Sequence, residues 1–165
     1  MPKKLKSKLD QIEKNILESL QKNGRMTNVE LAKANGLAPS SMLERVRRLE
    51  SRGIIKRYQA ILDPKALGYD VHATVMMNLG RHVVNSIDDI QERIREIPEI
   101  KSCYSVAGRY DYIMQVVVCN IEHLETLIKH TLASMEGVEK LETFLTMSAI
   151  KEDEGYALTY MPEDV

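Results

Sequence analysis

Residues 27–52, TNVELAKANGLAPSSMLERVRRLESR, decide the fold of the first part of the chain. Thr27 and Glu30 have the spacing of a capping box, in which each side chain bonds the other residue's free backbone N–H at a helix start. The helix that follows Thr27 ends at the next glycine. Pro39, which suits a first helical turn, opens another helix that reaches about Ser51. Two helices joined by so tight a connection predict a helix-turn-helix.

The second of these helices has one apolar stripe and one cationic side. Its apolar residues recur at helical spacing and predict the buried stripe: Met42, Leu43, Val46 and Leu49. In a helix-turn-helix the second helix lies in the major groove of DNA, where arginine forks bind phosphates and guanine edges. Glu44 either accepts from cytosine or pairs with Arg48 four residues on. The predicted DNA-contacting residues are Thr27, Asn28, Pro39, Ser40, Ser41, Glu44, Arg45, Arg47 and Arg48.

The segments on either side complete a winged helix-turn-helix. Apolar residues at helical spacing predict a preceding helix, which Asn23 and Gly24 end: Leu9, Ile12, Ile16, Leu17 and Leu20. After the arginine-rich helix, residues 54–62 form a basic, strand-like stretch that stops at Asp63-Pro64. We interpret this stretch as both a wing and a linker strand, so the predicted first domain covers residues 1–62.

The charge is divided unevenly along the 165 residues, although the whole chain carries only −1. The first 65 residues hold 15 Lys and Arg against 7 Asp and Glu, a net of +8. The remaining residues hold 8 against 17, a net of −9. Such asymmetry favours a polyanion-binding first part. The alternatives are a solvated arginine face, or two halves that attract each other.

Other features of the sequence limit where the protein works. No apolar run is long enough for a transmembrane helix, and the basic N-terminal residues lack the apolar core of a signal peptide. Cys103 and Cys119 form neither a metal-ligand pair nor a disulfide framework, so we expect two reduced packing residues on strands. A cytoplasmic protein with no membrane partner is therefore predicted.

The second predicted domain, residues 63–165, has the pattern of a βαββαβ unit. Strands are predicted at 71–79, 100–107, 110–119 and 138–150, and helices at 87–97, capped by Ser86, and at 121–132, capped by Asn120. This order predicts a ferredoxin-like antiparallel sheet with both helices on one face, so the fold class is α+β. The other face carries apolar positions such as Ile113 and Val117, or their alternates. An uncovered apolar face favours a two-fold homodimer.

Three motifs stand in order along the chain: NGRMTNVEL at 23–31, LERVRRLE at 43–50 and GRYDY at 108–112. In this order, and with the two predicted domains around them, they resemble the leucine-responsive/AsnC ("feast/famine") family of transcriptional regulators. The resemblance extends from about Leu9 to Lys151. The chain departs from the family pattern at Ala38, where a serine is common, and at Ser41, where a proline is common, which leaves the base preference open.

The resemblance implies an oligomeric, ligand-responsive regulator. Family members dimerise through the βαββαβ domain, often assemble four dimers into an octamer that wraps DNA, and sense a free amino acid at the junction between dimers. The residues implied in this effector site are Gly108, Arg109, Tyr110, Asp111, Tyr112, Phe144, Leu145 and Thr146. Asp111 offers a carboxylate to an α-amino group, or else it is a turn residue or a salt-bridge partner. No cofactor is expected beyond the amino-acid effector.

Two other functions fit parts of the pattern. One is an enzyme, because the βαββαβ architecture resembles that of tetrapyrrole-processing decarboxylases. The four histidines, however, are scattered at positions 72, 82, 123 and 130 and form no metal-ligand cluster, and the arginine-rich helix argues against this branch. The other is an amino-acid-sensing oligomer without DNA, which leaves the +8 half unexplained. We therefore expect a non-enzymatic, sequence-specific DNA-binding regulator whose binding or assembly responds to an amino acid.

Overall fold

The computed structural model describes residues 9–80 and 87–158. The chain divides into two compact units. The first runs to Ile61 and includes the tail from Lys151, and the second spans Leu62–Ile150. The tail therefore groups with the first unit, and not with the second as the expected range 63–165 had it. Two residues named above, Ser86 as a helix cap and His82, lie outside the described residues.

Three helices form the first unit, and they match the predicted ones: α1 Gln11–Lys22, α2 Asn28–Asn35 and α3 Pro39–Ser51. The capping box at α2 is confirmed, since the Glu30 N–H donates to Thr27 Oγ1 at 3.2 Å and the Thr27 N–H to Glu30 Oε2 at 2.7 Å. The helix ends at Gly36, whose φ of 66° lies in the left-handed region that favours glycine. A second capping box, which the sequence analysis missed, joins Asp10 and Glu13 at the start of α1.

The tail completes the core of the first unit. Leu158 is buried in the same cluster as Ile16 and Leu49. The Gln21 side chain donates to the Tyr156 carbonyl oxygen at 3.1 Å and accepts from the Tyr156 N–H at 2.6 Å. Gly155 allows this close approach, because its φ is 93° and an added Cβ would lie 2.3 Å from Gln21 Oε1. The acidic tail is thus anchored on α1.

The predicted linker strand was wrong for the chain taken by itself. Within the described residues, 54–62 form no strand. The N–H groups of Ile54 and Ile55 both donate back to the Leu49 carbonyl oxygen, at 3.0 and 3.3 Å, and so extend the end of α3. A strand needs a neighbouring backbone to pair with. Further along, Ile61 is 90% exposed and Leu62 is 64% exposed, so the apolar end of this stretch is open to solvent in the described chain.

The second unit is the predicted ferredoxin-like βαββαβ fold. Its elements are β1 Val71–Leu79, α4 Ile87–Glu96, β2 Ile100–Ser105, β3 Tyr112–Val118, α5 Ile121–Thr126 with a π-helical continuation Leu127–Leu132, and β4 Val138–Leu145. A short 3-10 turn, Lys65–Leu67, precedes them. The sheet order is β2-β3-β1-β4 and every neighbouring pair is antiparallel.

Four strand boundaries differ from the predicted ones, namely the end of β2, both ends of β3 and the end of β4, and Cys119 is not a packing residue. The β2–β3 turn takes up residues 106–111 because the Val106 N–H donates to the Asp111 carbonyl oxygen at 3.0 Å. Strand β4 stops at Leu145, opposite Ala73, because β1 offers little further backbone to pair with. Cys103 packs against the core and burial raises its thiol pKa, whereas Cys119 is exposed just after β3.

The two faces of the sheet differ. The face under the helices holds the core: Ala73, Val75, Met77, Met114, Val116 and Val118 with residues of α4 and α5. The register places Ile113 opposite Met76 and Val117 opposite His72, so both lie on the second face as predicted. On that face Tyr104 is 63% exposed and Phe144 is 51% exposed. Large apolar side chains are therefore open to solvent in the single chain.

Candidate DNA interface and effector site

Helix α3 presents a polar outer face opposite its buried stripe. Met42, Val46 and Leu49 are buried against the other two helices. On the opposite side lie four exposed residues at helical spacing, here called the reading face: Ser40, Glu44, Arg47 and Ser51. In the described part of the chain, neither Glu44 nor Arg47 has an ion-pair or hydrogen-bond partner. Arg47 therefore presents its whole guanidinium fork outward.

The other arginines of α3 turn toward α1. Arg45 bonds Asp10 at 2.5 Å, Arg48 Nη2 bonds Glu13 Oε1 at 2.8 Å, and Arg52 Nη1 bonds the same oxygen at 3.2 Å. These three guanidinium groups and two carboxylates are here called the seam. The pairing of Arg48 with Glu44, which was one of the two alternatives for Glu44, does not form, because the flank of α3 that carries Arg48 faces α1 and Arg48 bonds Glu13 instead. Arg48 nevertheless keeps 54% of its side chain exposed.

The surroundings of Asp10 favour its ionised form. Burial alone would raise the pKa of Asp10, but hydrogen bonds from Arg45 and from the Glu13 N–H, together with the arginine charges, lower it below its usual value. Asp10 therefore stays ionised at neutral pH and holds Arg45 beside the start of α1.

The start of α2 and the segment after α3 border a groove of about 470 Å³ in the first unit, lined by Thr27, Asn28, Leu43, Arg47 and Tyr58 among others. The hydrogen bonds from the Thr27 N–H and hydroxyl lower the pKa of Glu30, which keeps the α2 cap charged. Tyr58 donates its hydroxyl to Glu50 at 2.9 Å. Desolvation and this carboxylate raise the pKa of Tyr58 to about 12. Tyr58 thus anchors the wing segment on α3, a contact that nothing in the sequence pattern indicated.

In the second unit, the β2–β3 turn is fixed by backbone and side-chain bonds. The Asp111 carboxylate accepts the Leu79 N–H at 2.8 Å, and the Asp111 N–H donates to the Met77 carbonyl oxygen at 3.0 Å. The Asn78 amide donates to the Arg109 carbonyl oxygen at 2.7 Å. Asp111 therefore serves as a turn residue, which is the alternative role that its position allowed.

Beside this turn lies a polar group here called the Glu142 cluster. Tyr110 donates its hydroxyl to Glu142 Oε2 at 2.7 Å, while Lys140 and Arg109 bond Oε1 at 2.6 and 3.4 Å. The Arg109 guanidinium stacks over the Tyr110 ring at 5.4 Å. Bonds from Lys140 and Tyr110 lower the pKa of Glu142, and the bond to Glu142 raises the pKa of Tyr110. Sequence reasoning missed Glu142, although it precedes Phe144 by two positions and so shares its face of the sheet.

The structure separates the other expected effector residues. Tyr112 is 5% exposed and lies on the helix side of the sheet, where its hydroxyl accepts from Gln91 at 3.0 Å, so its side chain does not reach the surface beside the turn. Phe144 lies on the second face, whereas Leu145 points to the opposite side because strand neighbours alternate. The Thr146 N–H donates to the His72 carbonyl oxygen at 2.9 Å. Gly108 is exposed, and an added Cβ would meet nothing within 4 Å.

Two kinds of feature are not found among the described residues. Among residues 9–80 and 87–158, no three His, Cys, Asp or Glu side chains gather in a group that suits a metal ion. In the same part of the chain no helix is long and apolar enough to cross a membrane. A helix-turn-helix unit beside a ferredoxin-like unit is the architecture of a two-part DNA-binding regulator.

Comparison with known proteins gives the family. The profile of a winged helix-turn-helix DNA-binding domain matches residues 9–56, and that of the Lrp/AsnC ligand binding domain matches residues 72–156. The leucine-responsive regulatory proteins of Escherichia coli K12 and Klebsiella pneumoniae are 37% identical to this chain over 144 residues, 87% of this chain and 88% of theirs. The chain therefore belongs to the Lrp/AsnC family of DNA-binding transcriptional regulators, and the resemblance and the expected function are confirmed.

Solved structures agree with this assignment. A transcriptional regulator of Neisseria meningitidis in complex with L-methionine has a TM-score of 0.88 at 30% identity and covers 92% of this chain and 98% of its own. LrpC of Bacillus subtilis has a TM-score of 0.79 at 33% identity and covers 89% and 100%. The α+β fold class, with its winged helix-turn-helix and four-stranded antiparallel sheet, is thereby confirmed.

Proposed function

We propose that the protein reads duplex DNA with the reading face of α3 and that an amino acid bound to the second unit modulates DNA binding or assembly. The observation that carries the DNA part is the contrast among the arginines. Arg47 projects from the reading face with no partner in the described chain, while Arg45 and Arg48 bond to α1. A free guanidinium fork on a recognition helix suits the O6 and N7 atoms of guanine.

The remaining predicted contacts suit phosphates. Ala38 gives α3 no side-chain cap, so the first N–H groups of the helix, beside Ser40 and Ser41, are available to a phosphate oxygen. Pro39 starts this turn without an N–H of its own. Thr27 and Asn28 stand at the start of α2, a second helix N-terminus on the groove beside Arg47. Phosphate contacts position the reader, and the reading face supplies the specificity.

A salt titration of the full-length protein tests the DNA part. The probes are a duplex recovered by selection from a random library and a scrambled duplex of equal length. We expect the logarithm of the association constant to fall with log[salt] by about 0.9 per phosphate contact, and the selected duplex to bind more tightly at every salt concentration. Equal, salt-independent binding of both duplexes would contradict DNA reading and favour the DNA-free sensor.

The proposal that an amino acid binds the second unit is supported by the charged groups of the Glu142 cluster and by a ligand-bound relative. The Glu142 cluster combines an exposed guanidinium, which suits an α-carboxylate, with a carboxylate that suits an ammonium group. Asp111, Gly108 and Phe144 border it along the turn and β4. The Neisseria relative was solved with L-methionine bound. A thermal-shift screen of the twenty amino acids tests this part, since a ligand at 100 times its dissociation constant adds about 2.7 kcal/mol. No shift with any amino acid would contradict it.

Assembly follows from the second face of the sheet. Exposed Tyr104 and Phe144 suit a two-fold dimer through this face, and dimers would then assemble into an octamer. A DNA-bound particle of this kind works in the cytoplasm without catalysing a reaction. Light scattering of the purified protein should give the mass of an even-numbered oligomer. A monomer at micromolar concentration would contradict this proposal, and a coloured, tetrapyrrole-bound preparation would favour the decarboxylase alternative.

A further inference from the structure

The seam between α1 and α3 contains a buried carboxylate that the DNA-reading proposal leaves without a role. Glu13 is 2% exposed and is the buried charged residue of the described core. Its Oε2 accepts the Asp10 N–H at 3.0 Å, and its Oε1 accepts from Arg48 at 2.8 Å and from Arg52 at 3.2 Å. Burying a carboxylate is unfavourable unless it is paired and hydrogen-bonded, and Glu13 meets both conditions.

The bond to Glu13 uses only one edge of the Arg48 guanidinium. The group has five N–H donors in a rigid plane, and the bond to Glu13 runs from Nη2. About half of the Arg48 side chain remains exposed, on the flank of α3 next to the reading face. The free edge of the guanidinium is thus held at a fixed angle beside the residues that face DNA.

We propose that Glu13 is a positioning residue that orients Arg48 toward a DNA phosphate and so sets the angle of α3 in the major groove. This inference rests on the proposed reading of DNA by α3. Because Glu13 already fixes the guanidinium plane, Arg48 loses less side-chain freedom when it binds a phosphate. Arg47 then contacts bases while Arg48 fixes the position of the helix on the backbone.

For the variant Glu13→Gln, the loss of a negative charge and the loss of the orientation of Arg48 should change DNA affinity in opposite directions. Glu13→Gln removes one negative charge beside the DNA-binding helix. On electrostatic grounds alone it should tighten binding to every duplex. If Glu13 orients Arg48, the same change should weaken binding to the selected duplex while the scrambled duplex is bound as well as before or more tightly. The ratio of the two affinities therefore separates the two effects.

The experiment measures both affinities by fluorescence anisotropy with full-length protein at low temperature. Glu18→Gln is the matched control, because it removes one charge from the same helix at a side chain with no bond in the described chain. We expect Glu13→Gln and Arg48→Ala each to lower the affinity ratio about tenfold, because α3 then no longer holds Arg47 in position against the bases, and we expect Glu18→Gln to leave the ratio unchanged. The double variant Glu13→Gln/Arg48→Ala should have the same affinity ratio as Arg48→Ala alone, since both substitutions remove the same interaction.

Two results would overturn the inference: an affinity ratio for Glu13→Gln equal to that of Glu18→Gln, or additive effects in the double variant. A lowered melting temperature with an unchanged ratio would show that Glu13 only stabilises the unit. If Glu13→Gln does not fold, Arg48→Lys tests the proposal instead, because this variant keeps the positive charge but loses the planar guanidinium group that bonds Glu13. It should lower the ratio without changing the salt slope, and wild-type behaviour would overturn the proposal. Failure of DNA reading itself would be recognised separately, as a wild-type protein that binds both duplexes equally.

Discussion

The reading face of α3 and the Glu142 cluster present their polar groups in opposite ways. On α3, Arg47 and Glu44 have no partner in the described chain, so a DNA base meets groups that need not break a bond first. In the cluster, Arg109, Tyr110 and Glu142 already bond one another. A ligand there must exchange partners with the protein. The proposed DNA surface is therefore preformed, whereas the proposed effector surface would have to change its bonds on binding.

The largest effect is expected from removing the support of the reading face. Leu49 is fully buried on the inner side of α3, so Leu49→Ala should destabilise the first unit by about 2–5 kcal/mol through lost contacts and a cavity. Chemical denaturation measures the loss, and DNA binding should fail while the second unit still responds to the effector. Val29→Ala, at an exposed site on α2, is the control and should change stability by less than about 0.5 kcal/mol. Equal stability of both variants would contradict the packing described here.

Two glycines separate structure from ligand binding. Gly155→Ala should destabilise by about 1–3 kcal/mol, because φ is positive and the new Cβ would strike Gln21. Gly108→Ala should leave the melting temperature unchanged, since the space around it is open, but should abolish the thermal shift caused by the amino acid. A Gly108→Ala protein that responds at wild-type ligand concentrations would move the effector site away from this turn.

A smaller effect is expected within the Glu142 cluster. Tyr110→Phe removes one hydrogen bond to the Glu142 carboxylate, so the melting temperature should fall only slightly. Because the cluster must exchange bonds with a ligand, the free energy of amino-acid binding should change by more than the free energy of unfolding. Isothermal titration calorimetry measures the affinity for the amino acid, and Tyr104→Phe is the control variant. Identical affinities for both variants would separate the cluster from the effector.

The smallest effect concerns pH. The pKa of Asp10 is lower in the folded state than its usual 3.8, so its contribution to stability is complete above that pH and is lost as the pH falls through the folded value. Asp10→Asn keeps a helix cap but loses the charge that pairs with Arg45. At pH 7 it should be less stable than wild type by under about 1 kcal/mol, and the difference should shrink as the pH falls through the folded-state pKa of Asp10. Thermal melts across this range check the convergence, and a constant difference would contradict it.

The sequence predicted the elements whose signals are local. The capping box at Thr27, the apolar stripe of α3 and the alternation in β1 each repeat within a few residues, so spacing alone located them. The seam was not predictable in this way, because Glu13 and Arg48 are 35 positions apart and only the packing of α1 on α3 joins them.

Features that depend on a neighbouring backbone were also missed. Strand β4 ends at Leu145, opposite Ala73 near the start of β1, and residues 54–62 form no strand where no neighbour pairs with them in the described chain. The docking of Tyr156 on Gln21 joins residues 135 positions apart. For the proposed effector site, a sequence motif predicted the turn at Gly108. The position of Glu142 beside this turn depends on the register of β4 with β1, which the sequence pattern did not indicate.

The most direct test of the central claim compares Arg47→Ala with Arg93→Ala on the selected and scrambled duplexes. Both substitutions remove one exposed arginine, but Arg93 lies on α4 of the second unit. The reading face predicts that Arg47→Ala weakens binding to the selected duplex by about 1–3 kcal/mol and narrows its preference over the scrambled one, while Arg93→Ala does neither. Equal affinities of the two variants for the selected duplex would contradict the account.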